Sequence, residues 1–233
     1  MEGEGHTEPM TDPLTLDRAV DLTRTGDLWL FRGRTAADRA IRTLTNSPVN
    51  HVGMAVVIDD LPPLMWHAEL SRVLTDVWTG GNHRGVQLHD LREAVDRWST
   101  TYGQQAWLRQ LTPEVGRPEE DALMSTIARL DGVSFPSTAR LAARWVRGRD
   151  AYVPTKSRGT KVRPEQAYCA EVVATTLQDM GVLALDRRAQ WFDPGTFWSG
   201  DYLPLITGWS YGREVQVGVP PGGAVPSARH RWR

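Results

Sequence analysis

The stretch SPVNHVGMAVV, residues 47–57, decides the fold of this chain. It begins with a Ser-Pro turn, and the residues from His51 onward are apolar and largely β-branched, which predicts a central strand over residues 51–59. Acidic and proline residues at 59–63 predict a turn, after which LMWHAEL (64–70) returns as a second strand. We therefore expect two adjacent strands, with His51 at the start of the first.

Polar side chains of the second strand fall on one face. Strand side chains alternate, so His67 and Glu69 share a face while Trp66 and Ala68 point the other way. If the strands pair antiparallel, one of these polar groups meets the imidazole of His51. A partner on the second ring nitrogen fixes the tautomer of a catalytic histidine, and His67 fits this role best, with Glu69 as the alternative.

The chain has a single cysteine, Cys169, in the segment AYCAEVVATTLQDM (167–180), which predicts a helix ended by Gly181. In the first turn of that helix a thiolate would face unpaired N–H groups, which predicts a lowered pKa and a reactive nucleophile. The alternative is a buried core cysteine on an amphipathic helix.

The remaining pattern predicts one domain over residues 14–215, between a disordered lead (1–13) and a flexible basic tail (216–233). The other expected elements are a short helix at 14–24, strands at 28–31, 86–88 and 105–111, and helices at 35–45, 118–131 and 137–147.

Composition narrows the class. The chain has 233 residues, 40% hydrophobic and 24% charged, with a net charge of -1. This is ordinary for a globular protein and makes nucleic acid an unexpected partner. No apolar run approaches the ~18 residues of a membrane span, and the polar N-terminus lacks the features of a secretory signal, so we expect a cytoplasmic protein. One cysteine excludes an intrachain disulfide and a cysteine-based zinc site.

Four motifs in order resemble one family. They are GDLWLFRG (26–33), SPVNHVGMAVV (47–57), YCAEVV (168–173) and FDPGTF (192–197). Together they resemble the circularly permuted branch of the NlpC-type papain-like superfamily, which includes YiiX/YebB-like hydrolases and the lecithin-retinol acyltransferase group. As in that branch, the histidine precedes the cysteine. The resemblance covers about residues 26–70 and 165–205, and the region 71–164 looks like a variable insertion. Asn50 departs from the serine usual before the histidine.

The resemblance implies an α+β fold, with a small antiparallel sheet packed on the helix that carries Cys169. It implies a cysteine hydrolase of amidase or peptidase type, with Cys169 as nucleophile, His51 as base and His67 or Glu69 as third residue. Asn50 and Tyr168, which flank the pair, are expected to contact the substrate. The substrate would be a small peptide, an amide or an acyl lipid, and no cofactor or metal is expected.

Three alternatives remain open. The same fold could serve a lipid acyltransferase or thioesterase, with Trp191, Trp198 and Trp209 lining an apolar channel or belonging to the core. It could also be a non-catalytic ligand-binding relative. A third possibility is a metal protein that uses His51, His67 and Glu69, since two histidines and one carboxylate can bind zinc.

Overall fold

The structure is a computed structural model that describes residues 13–34, 47–58, 60–69, 71–132 and 164–219, with side chains from residue 169 onward in the last segment. The expected helices at 35–45 and 137–147 lie outside the described residues. So does nearly all of the expected N-terminal lead.

The fold is α+β, as expected. Within the described residues there are nine strands, four α-helices and two short 3-10 helices. They are β1 (Leu14–Thr15), α1 (Leu16–Leu22), β2 (Leu28–Arg32), β3 (His51–Val56), β4 (Leu64–Glu69), β5 (Gly85–Asp90), α2 (Leu91–Thr100), β6 (Gln105–Arg109), β7 (Leu111–Thr112), α3 (Arg117–Leu130), α4 (Pro164–Asp179), the 3-10 helices Ala189–Trp191 and Pro194–Phe197, β8 (Ser210–Tyr211) and β9 (Val215–Gly218).

Seven of the strands form one sheet in the order β1-β9-β6-β2-β3-β4-β5, and β7 pairs with β8 in a separate ribbon. All pairings are antiparallel except that of β1 with β9. The expected pairing of the two strands after His51 is confirmed, since Met54 lies opposite Trp66 and Val56 opposite Leu64. The sheet is mostly antiparallel, and larger than the small one expected.

Each face of the sheet has its own apolar cluster. On one face, Leu30, Val52 and Trp66 pack with residues of α3 and α4, including Cys169. On the other, Phe31 and Ala55 pack with residues of α1 and α2. The split follows from strand alternation, because neighbouring residues of a strand point to opposite faces. The α4 face and the α2 face are therefore two separate environments.

The segment expected to be a variable insertion builds part of this sheet. β5 pairs with β4 along its whole length, and β6 lies between β2 and β9. Residues 85–109 are thus integral to the fold. The expected tail also begins too early at residue 216, because β9 (Val215–Gly218) pairs with β6.

A buried carboxylate fixes the turn into β2. Asp27 is fully buried, and its two oxygens accept hydrogen bonds of 2.8 Å from the backbone N–H groups of Arg24 and Leu111. Burial raises the pKa of Asp27, while these two hydrogen bonds and the charge of Arg24 act to lower it. The Gly-Asp pair of the first motif thus ties β2 to the start of β7.

Across the part of the chain that the structure describes, no helix has the length and apolar character needed to cross a membrane.

Asp27→Asn should lower the free energy of unfolding by about 1–3 kcal/mol, since the amide can accept only one of the two hydrogen bonds and leaves a buried N–H unpaired. The measurement is urea unfolding followed by circular dichroism. Asp21→Asn, on the exposed side of α1, is the matched control and should stay within about 0.5 kcal/mol of the wild type. Equal stability of the two variants would contradict the anchoring role.

Candidate active site

Three histidines from three neighbouring strands form a line on the α2 face. His51 Nε2 lies 3.1 Å from His67 Nδ1, and His67 Nε2 lies 2.9 Å from His89 Nδ1. His67 and His89 are buried, while His51 is partly exposed at the end of the line. The ring of Trp98, from α2, packs edge-on against His51 and His67 and closes this line from above.

Gln87 ends the line at its buried side. Its Oε1 lies 3.0 Å from His89 Nε2. Its Nε2 faces the carbonyl oxygens of Glu69 and Gly85 at 3.4 and 3.5 Å. An amide nitrogen facing two carbonyls must be the donor, so the amide oxygen accepts a hydrogen bond from His89.

This anchor sets the tautomer of every ring, because a neutral imidazole has one donor and one acceptor nitrogen. His89 donates from Nε2 to Gln87, so its Nδ1 must accept. His67 then donates from Nε2 and accepts at Nδ1, and His51 donates from Nε2. The Nδ1 atom of His51 is left as a bare acceptor. We call this series the histidine relay.

The relay is neutral at physiological pH. Burial lowers the pKa of His51 and of His89 to about 4, and lowers that of His67 well below its usual value. In each case desolvation of the charged form is the main cause, and the neighbouring rings add to it for His51 and His67. Nδ1 of His51 therefore carries no proton over the physiological range.

Cys169 lies on α4 and is completely buried. Backbone hydrogen bonds from Val52, Ala170 and Cys169 itself favour its thiolate, but burial outweighs them and raises the pKa to about 12. The Val52 amide belongs to the peptide bond that follows His51. The sulfur is therefore adjacent to the start of β3.

The structure brings His51 and His67 together, but it places Cys169 on the opposite face of the sheet. The ring of His51 contacts Phe31 and Trp98 on the α2 face, whereas Cys169 belongs to the cluster on the α4 face. Both lie beside the start of β3, with His51 as the first residue of the strand and the sulfur at the Val52 amide. The β3–β4 ladder extends only from Val56 to Met54, while the β4–β5 ladder continues to Glu69.

The expectation of a lowered thiol pKa is wrong for this structure. α4 begins at Pro164, three residues before the expected start, so Cys169 lies in the second turn rather than the first. The thiol is thus further from the unpaired N–H groups of the helix start, and it is desolvated. The catalytic roles of Cys169, His51 and His67 stay predictions.

Glu69 extends toward the relay from the end of β4. Its Oε2 lies 3.9 Å from His89 Nδ1, so the carboxylate approaches His89 rather than His51. His67, and not Glu69, is the residue whose side chain contacts the His51 ring. The ligand atoms of His67, Glu69 and His89 lie within 4.8 Å of one another, a spacing that could hold a metal ion. The metal set considered from the sequence, with His51 in place of His89, is not the one that clusters.

The expected substrate contacts have other surroundings. The Asn50 side chain is buried and accepts a hydrogen bond of 2.7 Å from the backbone N–H of Gly33, which ties the start of β3 to the end of β2. The side chain of Tyr168 lies outside the described residues. Glu171 accepts a hydrogen bond of 2.6 Å from Gln190, which ties α4 to the 3-10 helix Ala189–Trp191.

The motifs that are distant in sequence are neighbours in space. The 3-10 helix Pro194–Phe197, from FDPGTF, contacts both β2 and β3. A Cβ added at Gly195 would lie 2.5 Å from Ser47 Oγ and 2.8 Å from Ser47 Cβ, so only glycine permits this approach. The C-terminal motif thereby holds the turn that precedes His51. Trp191, Trp198 and Trp209 pack at the margin of the core cluster on the α4 face.

Gln87 and His89 are the site residues that the sequence did not reveal. The strand expected at 86–88 ends before His89, whereas β5 runs to Asp90. Alternation along VQLHD would have placed Gln87 and His89 on one face. Nothing in the sequence pairs that face with His67.

No protein-family model matches this sequence, and no curated protein matches it. Among solved structures, the chain is similar to the crystal structure of the metalloprotein YiiX, DUF1105, from Escherichia coli O157:H7. The match has a TM-score of 0.42 and 18% identity, and it covers 68% of this chain and 66%, just under two thirds, of that chain. The likeness is weak, so the function must be inferred from the residues of this chain.

The buried thiol predicts slow alkylation. With a pKa of about 12, Cys169 should react with iodoacetamide at pH 8 on the order of 10³-fold more slowly in the folded protein than in urea, where the thiol pKa is about 8.5. Between pH 8 and 10 the folded rate should rise about tenfold per unit. Intact-mass spectrometry measures both rates. A folded rate that levels off below pH 9 would contradict the buried neutral thiol.

Proposed function

We propose that this protein is a cysteine-dependent hydrolase of amidase or peptidase type with a circularly permuted papain-like fold. Cys169 is the nucleophile, His51 the general base and His67 the positioning residue. The observation that carries the proposal is that the Cys169 sulfur contacts the amide that follows His51, while the relay leaves His51 Nδ1 as a bare acceptor.

The order of the elements supports the proposed fold. The strand with the histidine precedes the helix with the cysteine, and α4 packs on β3 and β4. The turn before His51, the start of α4 and the 3-10 helix of FDPGTF converge on the same end of β3. This convergence is what the resemblance to the permuted papain-like branch implies.

The protonation states favour one of two possible mechanisms. A thiol with a pKa raised to about 12 and an imidazole with a pKa lowered to about 4 form a neutral pair at rest. A stable thiolate–imidazolium pair is therefore disfavoured. His51 Nδ1 instead accepts the thiol proton as the sulfur attacks a carbonyl carbon, and returns it to the leaving group as the acyl-enzyme forms.

The mechanism requires the sulfur and the imidazole to meet beside the start of β3, beyond the end of the β3–β4 ladder. Val52 separates the two residues along the chain, and the space beside the adjacent Gly53 is filled by Met65 and His67. A Cβ at Gly53 would lie 2.3 Å from Met65 Sδ and 3.4 Å from His67 Cβ. The backbone N–H group of Val52, which points at the sulfur, is suited to stabilise an oxyanion formed beside it.

A panel of chromogenic substrates tests the proposal. It combines p-nitrophenyl esters of short and long acyl chains with p-nitroanilides of amino acids and short peptides. Cys169→Ser should lower kcat/KM at least about 10³-fold, and His51→Ala about 10²- to 10⁴-fold. His67→Gln should cause a smaller loss, about 10-fold or more, together with a shifted pH profile, because the tautomer of His51 is no longer fixed.

His83→Ala is the matched control, since His83 contacts Asp76 and is outside the relay, and it should retain activity. Full activity in Cys169→Ala would refute the nucleophile. If the wild type cleaves no member of the panel and no acyl adduct forms on Cys169, the hydrolase proposal is wrong and a non-catalytic ligand-binding relative is favoured. A preference for long-chain esters over anilides would favour the thioesterase or acyltransferase alternative.

A further inference from the structure

The buried end of the relay has features that hydrolysis by Cys169 and His51 does not require. His67 Nε2 and His89 Nδ1 lie 2.9 Å apart, and Glu69 Oε2 lies 3.9 Å from His89 Nδ1. All three residues point to the α2 face. Residues directly opposite each other share a face of the sheet, and His67 lies opposite Gln87 while Glu69 lies opposite Gly85. His89 shares this face because it is two residues after Gln87 in β5. Two ring nitrogens and a carboxylate oxygen thus converge on one point.

One of the two oxygens of the carboxylate at this point has no hydrogen-bond donor among the described residues. Within the described part of the chain, Glu69 Oε2 is buried and accepts no hydrogen bond. Burial raises the pKa of Glu69 to about 7, even though Ser71, Trp98 and the charge of Arg97 act to lower it. A buried carboxylate oxygen without a partner is costly, and a bound cation is one way in which proteins satisfy it.

The ligand atoms suit zinc rather than calcium or magnesium. Imidazole nitrogen with carboxylate oxygen is a common ligand set for zinc, whereas calcium and magnesium prefer oxygen alone. With Zn–N and Zn–O bonds of about 2.0–2.2 Å, ligand atoms of a tetrahedral site lie roughly 3.3 Å apart. The distance of 2.9 Å between the two ring nitrogens and the distance of 3.9 Å between His89 Nδ1 and Glu69 Oε2 each differ from this value by less than 1 Å.

Each ring also has an outer partner. His89 Nε2 is held by Gln87 at 3.0 Å, and His67 Nδ1 is held by His51 at 3.1 Å. Metal-binding histidines usually have their other nitrogen fixed in this way, which orients the ring toward the ion.

We propose that His67 Nε2, His89 Nδ1 and Glu69 Oε2 form a binding site for a zinc-like divalent ion. Three protein ligands leave a fourth position for water or another donor, as in zinc sites that are not purely structural. Cys169 takes no part, because it packs on the opposite face of the sheet.

A metal ion in this site would reverse the direction of the hydrogen bond between His67 and His51. A metal on His67 Nε2 moves the ring proton to His67 Nδ1, which then donates to His51 Nε2. His51 must in turn carry its proton on Nδ1, the atom that the proposed hydrolase uses as base. Zinc would therefore inhibit the hydrolase by removing its proton acceptor. This inhibition, unlike the binding of the metal, rests on the proposed function.

The site is tested by titrating the full chain, purified without a histidine tag and stripped with a chelator, with Zn²⁺ in a calorimeter. We expect one ion per chain. Glu69→Gln and His89→Gln should each weaken binding at least about 10²-fold, and Gln87→Leu about 10- to 100-fold. His83→Gln and Cys169→Ser are the matched controls and should bind as the wild type does. Co²⁺ should give the visible absorption of a tetrahedral site.

Loss of zinc binding because a variant is unfolded can be distinguished from loss of a metal ligand in a folded variant. Glu69→Gln keeps the shape of the side chain and replaces a carboxylate oxygen that accepts no hydrogen bond, so the metal-free variant should stay folded while losing the zinc-induced rise in Tm. Long-range ¹⁵N NMR correlations of the histidine rings give a second readout: the proton of His51 should move from Nε2 to Nδ1 on addition of Zn²⁺. This proton transfer occurs whether or not the protein is a hydrolase.

Three results would overturn the proposal: no binding of Zn²⁺ by the wild type, binding unchanged in Glu69→Gln and His89→Gln, or binding lost in Cys169→Ser. None of these measurements uses a substrate, so an inactive substrate panel leaves the zinc site standing. Conversely, if the wild-type protein is an active hydrolase but does not bind Zn²⁺, the zinc site is refuted and the hydrolase proposal stands.

Discussion

The alternation of side chains along β3 is the constraint on which the rest of the structure depends. It sends Val52 and Met54 to the α4 face and His51 and Ala55 to the α2 face. Because a strand cannot direct neighbouring side chains to one side, the thiol and the histidines occupy separate environments. The backbone amide of Val52 links them, since it belongs to β3 and contacts the sulfur.

The histidine relay shows how a buried polar group can be tolerated. Three imidazoles inside a sheet would be costly if charged, and burial keeps them neutral. Gln87 then serves as a fixed acceptor, from which the tautomers of His89, His67 and His51 follow in turn. A change at either end of such a series is transmitted to the other as a proton position. This property connects the proposed base at His51 to the proposed metal site.

The frame around the site is held by contacts between segments far apart in sequence. Asp27 joins β2 to β7 across 84 residues, and Gly195 packs against the Ser47 turn. Arg109, at the end of β6, donates a hydrogen bond of 2.6 Å to the carbonyl of Phe197. These contacts join segments from three of the four motifs to the sheet or to each other, although the segments between them contribute strands of their own.

The sequence by itself determined the strands β2 to β6, the helices α1, α3 and α4 and the pairing of β3 with β4, because periodicity and turn residues are local signals. It also placed His67 on the face that meets His51, since alternation follows from the strand alone. Tertiary structure decided the rest. Only the β4–β5 register brings His89 and Gln87 to His67, and only the packing of α4 sets the burial of Cys169 and the rise in its pKa. Register and desolvation depend on which distant segments meet, and no local pattern contains that information.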